Sequence, residues 1–264
     1  MNSPTLAVAR LSFANGLRQP MTWLVLALGL ALLGLSYLFG MFSFEASSRM
    51  RLLLTGGVAS GVVLGCFLGV FTVAQSVHDE LTSRTALTLF AKPMPRASFL
   101  LGKVLGAVAL VAVVVSVLLL VHLLALYLAQ QVGFEWDERH RRYHQASDVG
   151  YLPWSSVLVA HILGFAGNVA LICLAALLAL KLSLAGSVLL TFAAFVLAHL
   201  WAVGGGSSAL LLPALQLGNV DDALHFSDVD ITLTYFILSI GHAILYGAAC
   251  LVIGILVLER QDIP

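Results

Sequence analysis

The sequence predicts an all-α, polytopic membrane protein with six transmembrane helices, in a single domain over residues 1–264. Three observations carry this. Of the 264 residues, 60% are apolar and only 10% are charged, whereas ordinary soluble domains carry about 25% charged residues. Mean hydropathy is +1.01. The apolar residues also gather in runs long enough to cross ~30 Å of hydrocarbon. The expected spans are 21–42, 52–75, 101–128, 154–180, 187–203 and 231–258.

Residues 1–20 set Leu6, Leu11, Phe13 and Leu17 among Arg10, Arg18 and Gln19, and end at Pro20. This is the pattern of an amphipathic helix lying in the membrane interface, with Trp23 anchoring the start of the first span. That first apolar run is too long for the core of a signal peptide, so no cleavable leader is expected.

The second span carries Gly57, Gly61, Gly65 and Gly69, each four residues from the next. This spacing drifts by about 40° per step around a helix, giving a slowly turning groove. Small residues so placed let another helix approach closely in lipid, either within the chain or from a second copy.

Between spans two and three lies a charged island, residues 76–100. Asp79 and Glu80 sit just past span two, and Arg84-Thr85 follow one turn later. A short apolar helix is expected over 86–90, ended by Pro93 and Pro95, before Lys92, Arg96 and Lys103 lead into span three. Lys92, Arg96 and Lys103 alone would serve as anchors to lipid headgroups. The acidic pair and the proline corner go beyond that need, and directional charged contacts point to a soluble partner.

The remaining connections are simpler. Residues 130–153 carry mixed charges and read as a solvated helix or hairpin. Lys181 marks a tight turn between spans four and five. The loop 204–230 holds an apolar piece with Pro213 that is too short to cross, which fits a re-entrant or interfacial segment. The chain ends in the charged Glu259-Arg260-Gln261-Asp262.

Basic residues orient the chain. With both termini on one side, that side holds Arg10, Arg18, Arg84, Lys92, Arg96, Lys103, Lys181 and Arg260. The other side holds Arg49, Arg51, Arg139, Arg141 and Arg142, set among most of the acids. The termini and the island are therefore expected in the cytoplasm, and the protein in the cell inner membrane. No nucleic-acid partner is expected.

Several chemistries are excluded by motif. A phosphate-cradling loop needs Gly-Lys followed by Ser or Thr. Here Gly102-Lys103 is followed by Val104 and opens a span, so any nucleotide energy has to come from another protein. Neither His-Glu-x-x-His nor Gly-x-Ser-x-Gly occurs. Cys66, Cys173 and Cys250 lie inside spans without metal-ligand spacing and read as packing residues. His122, His161, His199 and His242 also fall within spans. Intramembrane ionisable groups are functional candidates, and imidazole is a versatile metal ligand. No two of them have i, i+4 spacing, however, so neutral histidines bonded to neighbouring backbone are the expectation and no metal is.

The pattern Glu80-x-x-x-Arg84-Thr85, Lys92-Pro93-x-Pro95-Arg96 and Leu101-Gly102-Lys103 resembles the permease subunits of ABC-2 type transporters. It is most similar to the branch linked to multicopper-enzyme and nitrous-oxide-reductase maturation. Arg84 stands where many members have glycine, and Met94 where many have valine. The resemblance implies that the island is a coupling helix docking onto a separate cytoplasmic ATPase. Asp79, Glu80, Arg84, Thr85, Lys92, Pro93, Arg96 and Lys103 would form that joint. It also implies a permease homodimer, small re-entrant helices after span five, and ATP with Mg2+ held only by the ATPase. This chain would itself carry no cofactor and catalyse nothing. The rival readings are a membrane scaffold that recruits a soluble partner, and an ion-gradient-driven transporter. The latter would want buried carboxylates or a repeated fold, while every Asp and Glu lies outside the spans or at their ends.

Overall fold

The computed structural model describes residues 3–42, 46–82, 95–132, 136–137, 142–143, 152–204, 212–226 and 229–260. Eight α-helices are found among them: α1 Pro4–Arg18, α2 Pro20–Phe42, α3 Ala46–Thr82, α4 Arg96–Val132, α5 Trp154–Ala179, α6 Leu184–Gly204, α7 Asp221–His225 and α8 Leu233–Glu259. A 3-10 turn spans Leu215–Gly218. In the 130–153 connection, β1 Trp136–Asp137 pairs antiparallel with β2 Arg142–Tyr143, a minimal hairpin. Five helices (α2, α3, α4, α5 and α8) are long and apolar enough to cross a membrane, and the protein is a multi-pass membrane protein. The sixth expected span, 187–203, falls on α6, whose apolar stretch Leu184–Leu200 is shorter.

Helices α3 and α4 have 37 residues each, or about 55 Å at 1.5 Å per residue. That is nearly twice the hydrocarbon thickness, so both run past a bilayer. The excess includes residues 76–82 and 96–100, the two roots of the charged island, which continue the spans as helix. Residues 76–82 contain no helix breaker, and Thr82 Oγ1 donates back to His78 O at 2.8 Å. Pro95 stands just before α4, where its missing N–H costs nothing, and its carbonyl accepts Ser98 N–H at 2.9 Å. The expected short helix over 86–90 lies outside the described residues. We call this end of the bundle the island end, and the other the far end.

The core is centred on α3. The most apolar stretch of α3 is 67% buried, against 17% for that of α8. Leu68, Val70, Val73 and Ala74 of α3 meet Leu110 and Val111 of α4 and Ile172 and Ala176 of α5 in one cluster. Helices α2 and α8 turn leucines such as Leu24 and Leu245 outward, as lipid-facing helices do.

Helix α1 packs on the bundle through small residues and not through Leu6 or Leu11. Its buried positions are Ala9, Ser12 and Gly16, while Leu6 and Leu11 are exposed. Val8 lies against Gly102, Ser12 against Gly106, and Gly16 against Leu110. Three contacts at matching four-residue steps make α1 run parallel to α4 for about two turns. The approach is close enough that a Cβ on Gly106 would lie 2.8 Å from Ala9 O. Small residues allow that approach and leucine would block it. Thr22 Oγ1 donates to Gly16 O at 2.7 Å and Trp23 Nε1 to Leu17 O at 3.0 Å, setting the corner into α2.

At the far end, the segment 212–226 folds back between α5, α6 and α8. Gln216 Nε2 donates to His199 O at 2.6 Å, Ala214 N–H to His242 Nε2 at 3.1 Å, and Tyr235 OH to Leu217 O at 3.0 Å. On α3, Thr55 Oγ1 contacts His225 Nε2 at 3.1 Å, and Asp221 lies 3.2 Å from the same nitrogen.

Candidate functional site

Two constellations stand out: a charged joint under the island and a polar row along the glycines of α3. The joint forms where α3 and α4 leave the core. Lys103 is 3% exposed. Its Nζ donates to the Glu80 carboxylate and to Ser76 Oγ, the latter at 2.9 Å, and lies 5.7 Å from the centre of the Phe99 ring. A lysine so enclosed is retained because it is paired. Two turns before it on α4, Arg96 Nη1 donates to Leu258 O at 2.7 Å and to Glu259 O at 3.1 Å. Those are carbonyls of the last turn of α8, which have no partner within their own helix.

Two of the residues expected at the docking face thus make contacts within the chain. Lys103 is not a surface cation, because its ammonium turns inward to α3, and Arg96 places Nη1 on the end of α8. Glu80 and Lys103 hold α3 to α4, and Arg96 holds α4 to α8. Asp79 is exposed and remains on the surface. Arg84, Thr85, Lys92 and Pro93 lie outside the described residues.

The glycines of α3 face the chain's own helices, which answers whether their partner is internal. A Cβ on Gly57 would lie 2.2 Å from His122 Nε2, and one on Gly61 3.2 Å from His161 Nδ1. A Cβ on Gly65 would lie 2.5 Å from Asn168 Nδ2, and one on Gly69 2.5 Å from Ile172 Cδ1. Gly57 thus receives a side chain from α4 and Gly61 one from α5, while Gly65 and Gly69 meet side chains of both, with Val115 and Val111 coming from α4. Gly57 is one turn after Leu53, so its missing side chain uncovers the Leu53 carbonyl. His122 uses that opening, with Nε2 3.1 Å from Leu53 O, while its Nδ1 lies 3.0 Å from His161 Nε2.

The hydrogen-bond direction follows from chemistry. A carbonyl only accepts, so His122 Nε2 carries a proton. In neutral imidazoles His122 Nδ1 then accepts from His161 Nε2–H. That leaves His161 Nδ1 an acceptor with no partner among the described residues. One further step inward, Asn168 is 1% exposed and neither of its amide atoms has a partner among the described residues.

His199 and His242 do not join this row. His199 Nδ1 donates to Phe195 O at 2.8 Å in its own helix, and His242 accepts from Ala214 N–H. Among the described residues no group of three or more His, Cys, Asp or Glu side chains could hold a metal. The three cysteines are buried free thiols. The sequence reading missed Asn168 and Ser76. For Asn168 the available signal was its seven-residue offset from His161, which puts both on one helix face.

No protein-family model matches the chain, and no curated protein matches it. The fold and these two constellations define an all-α, multi-pass membrane protein with an ion-paired joint beneath a charged inter-helix segment.

Proposed function

We propose that the chain is the permease subunit of an ABC-type complex. It spans the inner membrane six times with both termini in the cytoplasm, pairs with a second copy, and is driven by a separate cytoplasmic ATPase. The supporting observation is the joint at the island's base. A docked ATPase would push on the segment 83–94, and the first groups to feel that push are Glu80 with Lys103 and Arg96 with the end of α8. Three crossing helices therefore meet at the root of one short charged segment. A segment that served only as a lipid anchor would need no such bracing. In this division of labour Arg84, Thr85, Lys92, Pro93 and Asp79 supply docking contacts, while Glu80, Arg96 and Lys103 transmit the motion.

The test is purification in mild detergent after nucleotide trapping, with mass spectrometry of bound proteins. An ATPase bearing a phosphate-binding loop should co-purify, and charge reversal at Arg84 and Lys92 should release it. Lys103→Met should keep the ATPase bound while ATP-dependent substrate release across a sealed bilayer falls. A soluble partner without nucleotide-binding motifs would instead establish the scaffold reading.

A further inference from the structure

We propose that the outward face of α1 is a binding surface for anionic phospholipid, with Arg10 and Arg18 on the headgroup phosphates and Leu6, Leu11 and Trp23 under the acyl chains. This does not rest on the ATPase reading, since it concerns one face of one copy of the chain.

Ala9, Ser12 and Gly16 are the buried positions of α1, and they face α4. At about 100° per residue, the opposite side carries Arg10, Leu11 and Arg18, with Leu6 at its edge, and all four are exposed. Neither arginine makes a hydrogen bond or an ion pair among the described residues. Arg96 and Lys103, at the same end of the bundle, are engaged within the chain. Residues 1–44 contain no Asp or Glu. The outward face of α1 therefore carries two positive charges with no answering charge on its own helix or on α2.

The course of α1 decides what such a face meets. Val8 lies against Gly102 near the island end, and Gly16 reaches Leu110, so α1 runs inward along a helix long and apolar enough to cross a membrane. Helical side chains lean toward the N-terminus, which here is the island end. Both guanidinium groups therefore reach back toward the headgroup layer, while Leu11 lies between them and Leu24 and Leu28 follow on α2 as exposed apolar surface. A guanidinium matches phosphate with its planar fork of donors. A zwitterionic headgroup brings its own cation, so the charge of this face favours an anionic one. A soluble acidic partner would answer the arginines but not the leucines set among them.

The surface is also ordered before any lipid arrives. Thr22 Oγ1 donates to Gly16 O and Trp23 Nε1 to Leu17 O, which fixes the last turn of α1, the turn that carries Arg18. With its indole N–H spent on Leu17 O, Trp23 is still 60% exposed, and tryptophan is the side chain that membrane proteins set at the headgroup boundary. A face held in place in this way loses little freedom on binding.

The test titrates the delipidated full chain in detergent with dioleoyl phosphatidylglycerol or dioleoyl phosphatidylcholine and reads bound lipid by native mass spectrometry. Each arginine should favour the anionic lipid about fivefold, so the parent should prefer phosphatidylglycerol about 25-fold. Combining Arg10→Gln with Arg18→Gln should bring the two lipids to parity. Lys181→Gln removes an exposed cation from the same end of the bundle and should leave the preference unchanged. Equal retention of the two lipids by the parent, retention of neither, or a loss in Lys181→Gln as large as in the arginine variant would overturn the proposal. Should the arginine variant fail to fold, tryptophan fluorescence carries the test. Phosphatidylglycerol brominated on its chains should quench the parent more than brominated phosphatidylcholine does, and Trp23→Phe should remove the excess. Excess quenching that survives Trp23→Phe would place the lipid elsewhere and overturn the proposal as well.

Discussion

Lys103 on α4 reaches Glu80 on α3 across 23 positions of sequence and joins the two helices where the charged island begins. The pair is unequal, with side chains 4% and 22% exposed for Lys103 and Glu80. Glu80 Oε2 has no partner among the described residues, so the carboxylate is held through one oxygen only. The ammonium depends on the pair more than the carboxylate does.

That asymmetry predicts a ranked set of variants. Breaking a buried pair from one side leaves an uncompensated charge, at a cost of about 3–5 kcal/mol. Glu80→Gln strands the enclosed ammonium with only Ser76 and should cost about 3 kcal/mol. Lys103→Met strands the carboxylate of the less enclosed side chain, 22% exposed, and should cost less, about 2 kcal/mol. The double variant should recover most of the loss. Reversible unfolding in mixed micelles measures all four corners of the cycle, and a purely additive double variant would show that the pair does not couple the helices.

Arg96 makes a separate prediction. Its guanidinium covers the carbonyls of Leu258 and Glu259 at the end of α8. Arg96→Ala should fray that last turn, raising amide exchange over residues 255–260 while leaving the middle of α8 protected. Arg96→Lys should restore part of the protection, since the ammonium keeps a charged donor near the same carbonyls on a stem of different reach. Exchange rates at the end of α8 that match the parent protein would remove Arg96 from the joint.

The helical class, five of the apolar spans and the glycine groove were legible in the sequence because hydropathy and four-residue spacing are local signals. Gly57 and Gly65 announce close packing in any context. They do not announce that His122 and Asn168 fill the gap, since those side chains come from other helices. The charged island was legible as charged, but Lys103 and Arg96 look alike there as surface cations and prove to be internal ties. Only a fold can tell a lysine that faces water from one that faces a glutamate 23 residues away. The packing face of helix α1 was hidden for a related reason. Its leucines dominate the pattern, whereas Ser12, Gly16, Gly102 and Gly106 decide the packing.

The glycines should divide into two groups on substitution by alanine. Gly57→Ala would place its Cβ 2.2 Å from His122 Nε2. The ring would have to leave, losing its contacts to Leu53 and His161, for about 3 kcal/mol. Gly34 and Gly241 have nothing within 4 Å of the new atom, so alanine there should be neutral or stabilise by up to about 1 kcal/mol through helix propensity. Thermal unfolding of the three variants side by side reads the difference, and equal behaviour would mean that the His122 ring does not occupy the Gly57 gap.

His122 and His161 form an interhelical bond whose worth can be isolated. Interhelical hydrogen bonds in membrane proteins average about 0.6 kcal/mol and reach about 1.7. This one lies at the upper end, because neither ring has solvent as an alternative: His122 is 0% and His161 3% exposed. His161→Leu leaves His122 Nδ1 without its donor, and His122→Leu leaves His161 without its acceptor. Each should destabilise by about 2 kcal/mol, and the double variant by less than the sum, giving a coupling of about 1.5 kcal/mol. The same proteins decide between a structural pair and a metal site. Since the shared proton already occupies the space between the two nitrogens, elemental analysis of the purified double variant should match the parent in metal content. A drop of one metal ion per chain would make the two imidazoles ligands instead.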